Sequence, residues 1–347
     1  MPVKIDSHDP KPWIALSLQP NFGSHHFTKW REECAQSLFP PTLPDASHPH
    51  WQEACAVEKQ CRDLQIQIIS WEDTSYPPLL RTSRAALPVL YARGSWNPPH
   101  AAALPIAMVG TRTPSWNGKA VAEALVESLQ NHHTSIISGL AQGIDLCCHR
   151  TALAKQIHTV AVLGHGLDQE ISGERGMTAV QILAQGGALL SPFPPGIPAW
   201  KGNFLARNAV IAGMSHAVVV VESRETGGAL NTAEHCCAEN RLLLAVPGDV
   251  LRPTSQGPNM LVESGSAKAI WVPRHFPGLC NLQAVPPDPT HALFKLLQGE
   301  TCSLDEIMER SGHELVALRN ILGELELEGL VKSVGGELFR FQTNSHR

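Results

Sequence analysis

From residue 104 onward, short apolar runs alternate with helix-length amphipathic segments. The runs fall at 106–109, 135–137, 159–163, 188–190, 217–221 and 242–246. They are rich in Val, Ile, Leu and Ala, and the first four end at Gly or Ser. Their apolar residues are continuous rather than alternating. That predicts strands covered on both faces, the pattern of a parallel sheet with helices packed on either side. Right-handed crossovers turn such a succession into an α/β doubly wound sheet, whose ligands bind beyond the carboxyl ends of the strands.

The flanking regions read differently. Residues 1–62 are broken by prolines and rich in Trp and His. Two short helices are expected over 13–18 and 27–38 about a turn at 20–23. A proline-rich stretch at 39–49 reads as a linker, and a helix is expected over 51–64. A strand over 66–69, a break at Pro77-Pro78 and a strand over 88–92 ending before Gly94 lead into the regular part. Trp13, Trp30, Trp51 and Trp71 read as core residues. Past the sheet, residues 276–289 contain four prolines and read as a second linker. Helices are then expected over 291–297, 304–309 and 314–327, with Ser303 and Glu306 forming a capping box. A small hairpin about Gly335-Gly336 completes the pattern of a winged helix-turn-helix. The expected division is 1–62, a small N-terminal helical region; 63–275, the sheet domain; 276–289, a linker; and 290–347, the winged-helix domain.

The formal charge of −5 shows that the whole molecule is no general polyanion binder. Any nucleic-acid binding must come from a local patch. The nine cysteines include no C-x-x-C and no zinc spacing. Buried, free thiols in a reducing cytoplasm are expected, with no metal and no cofactor. The N-terminus has no apolar signal region, and no run reaches the ~18 apolar residues of a membrane span.

Candidate chemistry concentrates at the strand ends. After 106–109 come Gly110, Thr111 and Arg112. The glycine permits close backbone approach, the following helix start offers amides and a dipole, and the arginine offers a planar cationic fork. This loop is neither a Walker loop nor a G-x-G-x-x-G fingerprint. After 135–137 come Ser138 and Gly139, then Asp145 in the first turn of a helix, read as a residue that orients backbone amides. His165, between glycines, has no evident partner. A stiff proline loop at 192–198 leads to Lys201, Gly202, Asn203, Phe204, Arg207 and Asn208. An exposed aromatic flanked by cations suits a flexible polyanion, with bases stacking on the ring and phosphates held by the cations. The same residues also fit a buried first-turn phenylalanine between solvated cations. Thr226, Gly227 and Gly228 open a further helix and form another anion-binding terminus. No nucleophile–base pair and no nucleotide-hydrolysis set accompanies them. The combined edge reads as a binding surface for a phosphate chain.

These motifs occur in an order that resembles the DprA/Smf DNA-processing proteins. The match runs from DTSYPPLL at 73–80 through LYARG at 90–94, VGTR at 109–112, SGLAQGID at 138–145, AVLGHGLD at 161–168, LLSPFPPG at 189–196, NFLARN at 203–208 and IAG at 211–213 to TGGALNTA at 226–233. The resemblance implies an extended Rossmann-like domain that binds single-stranded DNA. It also implies protection of incoming DNA in natural transformation, loading of the RecA recombinase and action as a homodimer, without enzymatic activity. Carried over by motif, Gly110, Arg112 and Lys201 would hold phosphates, Phe204 would stack on a base, and Arg207 would support the groove. Ala206 and Ala209 stand where relatives commonly carry arginines, Thr111 replaces a usual Ser, and Gln169-Glu170-Ile171 replaces a usual Tyr-Pro. Fewer cations imply weaker DNA binding. The expected recognition helix carries Glu314, Glu324, Glu326 and Glu328 against Arg319, the wrong sign for a DNA groove, so a protein-interaction or dimer-supporting role is expected there. Two other readings stay open: a nucleotide-binding or nucleotide-cleaving Rossmann enzyme, and a protein adaptor with weakened DNA binding.

Overall fold

The computed structural model describes residues 9–37, 41–96, 104–282 and 293–342, apart from 295 and 328. The expected apolar runs become β3 (Leu104–Val109), β4 (Thr134–Ser138), β5 (Thr159–Val162), β6 (Ala188–Ser191), β7 (Ala217–Val220) and β8 (Leu242–Ala245). A two-residue β9 (Lys268–Ala269) follows. Every residue of β4, β5, β6 and β7 is buried. Helix pairs covering both faces explain why the strand sequences are continuously apolar.

With β1 (Gln67–Ser70) and β2 (Val89–Gly94) at one edge, the nine strands of the main sheet among the described residues lie in the order β1-β2-β6-β5-β4-β3-β7-β8-β9. All pairs from β6 to β9 are parallel. From β3 the chain winds outward through β4, β5 and β6, then returns to the other side of β3 with β7. The strand order therefore reverses between β3 and β7, which is the topological switch point where such sheets hold ligands. One edge departs from the expected parallel arrangement. β1 and β2 pair antiparallel, and β2 pairs antiparallel with β6. Antiparallel pairing needs no crossover helix between neighbours, and β1 has an exposed first residue, as an edge strand can.

The first helices are α1 (Lys11–Ser17), α2 (Ser24–Gln36) and α3 (Trp51–Asp63), and α4 (Pro78–Arg81), α5 (Trp116–Glu127), α6 (Ile144–Ala154), α7 (Gly173–Ala184), α8 (Lys201–Gly213) and α9 (Gly228–Ala238) follow between the strands. The expectation that residues 1–62 stand apart meets a shared core. Trp13, Ile14, Phe27, Val57 and Cys61 pack in one cluster with Val89, Tyr91, Ala161 and Ile182 from the sheet and its helices. Trp30, Trp51 and Trp71 lean on that cluster, as core aromatics should. Phe27 stacks on Trp30 with centroids 5.8 Å apart, and the Arg31 guanidinium lies 5.4 Å from the Phe27 ring. By its contacts the chain divides into two compact units, 1–283 and 284–347.

The expected linker at 276–289 begins inside the first unit. Phe276–Leu279 forms a helical turn in which Phe276 and Pro277 are buried, because Phe276 fills a core under β3 and β7. Residues 283–289 lie outside those described. In the second unit, residues 293–294 and 296–297 are helical, and 291–292 lie outside the described residues. The Leu304–Ser311 helix carries the expected capping box between Ser303 and Glu306. It is followed by a Leu315–Leu327 helix and a three-stranded sheet of β10 (Thr301–Ser303), β11 (Val331–Gly335) and β12 (Leu338–Phe341) in the order β10-β12-β11. Its own core includes Phe294, Leu297, Ile307, Leu318 and Phe341. This is a winged-helix arrangement.

All nine cysteines are free, but burial is not general: Cys237 is exposed, and Cys34, Cys55 and Cys147 are half-buried. Among the described residues, no helix is long and apolar enough to cross a membrane.

Candidate nucleic-acid interface

At the switch point, the chain leaving β3 is fastened to the chain leaving β7. The Thr111 amide donates to the Glu222 carbonyl at 2.7 Å. The Glu222 carboxylate is buried. It accepts from the Ser115 amide at 2.9 Å and the Ser115 hydroxyl at 2.6 Å. Ser115 in turn caps α5 (Trp116–Glu127) by accepting from the Gly118 amide at 2.9 Å. Gly118 is required because a Cβ there would meet the Glu222 carboxylate. Across the loop, Gly143 adopts φ +95 and allows the backbone of Thr111 and Arg112 to pass where a Cβ would collide. Arg112 thus projects, exposed, from a loop held on both sides.

The proline loop before α8 (Lys201–Gly213) is also tied down. The Gly196 amide donates to Asp168 Oδ1 at 2.9 Å, and the Gly166 amide donates to the Ile197 carbonyl at 2.9 Å. Lys201 is exposed at the first position of α8. Phe204, one turn on, is half-buried rather than an open face. The Arg112 guanidinium carbon lies 5.5 Å from its ring centroid and that of Arg207 5.8 Å. Gly164 supports the ring, and a Cβ there would sit 2.7 Å from Phe204 Cδ1. Phe204 therefore holds two guanidiniums that would otherwise repel.

Arg207 is only 4% exposed, so its expected grip on a phosphate is corrected. Its Nη1 donates to the Val162 carbonyl at 2.5 Å. Burial lowers its pKa to about 10, against the opposing pull of Asp145, while Arg112 and Arg175 push the same way as burial. It remains a cation at neutral pH. Asp145 lies behind it and accepts from the amides of Gly139 at 3.2 Å and Ala141 at 3.4 Å. Burial raises the Asp145 pKa, and Arg207 and those amides oppose the rise. The amide-orienting role expected of Asp145 matches this geometry. Ser138 and Gly139, expected on the phosphate surface, are buried. Ser138 donates to the Met108 carbonyl at 2.6 Å, and Gly139 leaves room for the Arg207 guanidinium that a Cβ would strike. The glycine does permit a close approach, but the approaching group is the protein's own arginine. Below it, buried His149 has Nδ1 2.7 Å from Thr159 Oγ1, and burial lowers its pKa to about 3. His165 is buried with Nδ1 2.9 Å from the Gly166 carbonyl.

On the far side of the cleft, Gly227 precedes α9 (Gly228–Ala238), and Thr226 and Gly228 are exposed. Asn208 reaches across from α8, with Nδ2 3.4 Å from both the Gly228 carbonyl and Asn231 Oδ1, so it ties the helices together. One cleft runs from Gly110, Thr111 and Arg112 past Lys201 and Phe204 to Arg224 and the Thr226–Gly228 turn. Three contributors were missed in the sequence. Arg175 donates from Nε to the Leu140 carbonyl at 2.8 Å and acts electrostatically on Arg207. Arg224 is exposed on the cleft, and Trp200 lines it with 62% of its surface exposed. Only Trp200 carried a sequence signal, as an aromatic beside Lys201. Among the described residues, no group of three or more His, Cys, Asp or Glu could hold a metal ion.

Comparison with known proteins identifies the family. The family described as DNA recombination-mediator protein A matches residues 67–276, and the DprA winged helix domain matches 282–337. Protein Smf of Escherichia coli strain K12 is 33% identical over 298 residues, covering 80% of this chain and 78% of its own. The DNA processing protein DprA of Bacillus subtilis strain 168 is 33% identical over 210 residues, covering 60% and 70%. The X-ray structure of Streptococcus pneumoniae DprA superposes with a TM-score of 0.61 at 27% identity, covering 74% of this chain and 92% of that one. A solved structure of Helicobacter pylori DNA processing protein A gives 0.54 at 25%, covering 63% and 98%. With both family matches in the expected order and the switch-point cleft inside the first, the chain belongs to the DprA/Smf family of DNA recombination-mediator proteins.

Proposed function

We propose that the cleft binds single-stranded DNA and that the protein presents this strand to a RecA-type recombinase in the cytoplasm, acting as a homodimer and without catalysing a reaction. The observation that carries the reading is the stack of Arg112, Phe204 and Arg207 at the switch point. It keeps an exposed guanidinium in the same cleft as the exposed Lys201 and the starts of two helices. The net charge of −5 makes this concentration of cations a local feature. Phosphate contacts of this kind carry little base information, so sequence preference should be slight. The Helicobacter pylori relative is described as having a single-stranded DNA binding mode, which supports the same ligand here.

The test is binding of labelled oligonucleotides, single-stranded against duplex, at two salt concentrations. Single-strand preference that weakens with salt is expected, because each neutralised phosphate releases counterions. Equal binding to both forms, or none to either, would defeat the reading. Free mononucleotides as competitors separate a strand site from a nucleotide pocket. Displacement of a labelled recombinase filament lag, measured on strands coated with single-strand binding protein, tests the mediator step.

A further inference from the structure

The segment before Phe204 is built around a different aromatic. Trp200 is 62% exposed, yet its indole is held in one place. Its Nε1 donates to Asn203 Oδ1. Asn203 is itself buried, its Nδ2 donates to the Pro198 carbonyl at 3.1 Å, and its amide donates to the Trp200 carbonyl at 3.1 Å. The indole lies over Gly202, where a Cβ would sit 2.7 Å from Trp200 Cζ2. Residues 202 and 203, expected to touch DNA, thus serve to seat the tryptophan, the glycine by the space it leaves under the ring and the asparagine by its side-chain amide.

Resting on the single-strand reading, we propose that Trp200 supplies a base-stacking surface of the cleft beside Phe204, whose ring lies between the guanidiniums of Arg112 and Arg207. The indole has its one polar group satisfied internally, so what it offers solvent is an apolar face. A π-face suits any base, and aromatic stacking is the sequence-tolerant part of single-strand binding. The ring is already oriented, so little side-chain freedom is lost when a base lands on it. Lys201 is the next residue and Arg112 lines the same cleft, so phosphates on either side of a stacked base have cations within the site. Phe204 offers less open face, because guanidiniums approach its ring from Arg112 and Arg207.

The experiment compares full-length wild type with Trp200→Leu, Trp200→Phe and Gly202→Ala. Each is titrated with a labelled oligo-dT and with an abasic strand of the same length, and thermal unfolding is recorded for each. Trp200→Leu is expected to weaken oligo-dT binding about tenfold and abasic binding less than about twofold. Trp200→Phe should restore most of the affinity. Gly202→Ala should weaken oligo-dT binding with the tryptophan still present, since the added methyl displaces the ring. Unchanged oligo-dT binding by Trp200→Leu, in a protein whose wild type binds, would overturn the stacking role. So would an equal loss on the abasic strand. Failure of the wild type to bind oligo-dT at all would instead overturn the single-strand reading beneath it.

Discussion

The cleft has two layers that a sequence does not distinguish. The outer layer holds Arg112, Lys201, Arg224 and Thr226, all exposed. The inner layer holds Ser138, Gly139, Asp145, His149 and Arg207, all buried. Both contain arginine and a hydroxyl-bearing side chain. They differ in what those groups face. The outer cations face water and are free to meet phosphates. The inner cation faces a carboxylate and a carbonyl, and its role is to fix the geometry on which the outer layer stands. Charge near a strand end is therefore evidence of ligand binding only when the charge reaches solvent.

Substitutions should separate the layers by effect on stability against effect on binding. Arg207→Ala should have the largest effect, a stability loss of about 3 kcal/mol in denaturant unfolding, because it strands the buried Asp145 carboxylate without its cation. Unchanged stability would erase the distinction between layers. Proton linkage gives the next effect. The His149 pKa is about 3 when folded, against its ordinary value of 6.5 when unfolded. The unfolded chain therefore binds the extra proton between these values, and stability falls as pH drops through that window. At pH 5 the loss from this residue is about 2 kcal/mol relative to neutral pH. Asp145, raised by burial, contributes with the opposite sign, since the folded state holds its proton to higher pH. Urea unfolding of wild type and His149→Gln from pH 7.5 to 5 isolates the histidine: the variant should show the shallower decline.

Outer-layer changes should leave the unfolding midpoint nearly constant. Arg112→Ala and Lys201→Ala should each weaken oligonucleotide binding several-fold. Each should also make the plot of log K against log salt less steep by roughly one unit. A slope equal to wild type would remove that residue from the phosphate contacts. The smallest effect is expected in the second unit. The Leu315–Leu327 helix carries Glu324 and Glu326 with Arg319, which pairs with Glu337 at 3.3 Å. Exposed pairs of this kind contribute little. Arg319→Ala should change neither stability nor single-strand affinity by more than about 0.5 kcal/mol. A large loss of affinity would show that this helix meets nucleic acid despite its charge.

Sequence by itself determined the positions of the strands β3 to β8, the doubly wound sheet and the winged helix, but not the short strands β9 and β10. The first three follow from local patterns: continuous apolar runs at 135–137 or 217–221, and the capping box of Ser303 and Glu306. It also pointed to the strand ends, where the structure has a cleft, and read Asp145 as an amide-orienting residue, because strand-end glycines and first-turn acids have local signatures. Tertiary structure alone decided which groups reach solvent. Arg112 and Arg207 look alike in the chain, but β5 and the Gly139 turn close over one and not the other. The antiparallel β1–β2 edge and the shared core of the first helices are likewise long-range pairings that no local window encodes. Trp200 shows the same limit: its orientation depends on a bond to Asn203 and on the space over Gly202, contacts that exist only once the loop has folded.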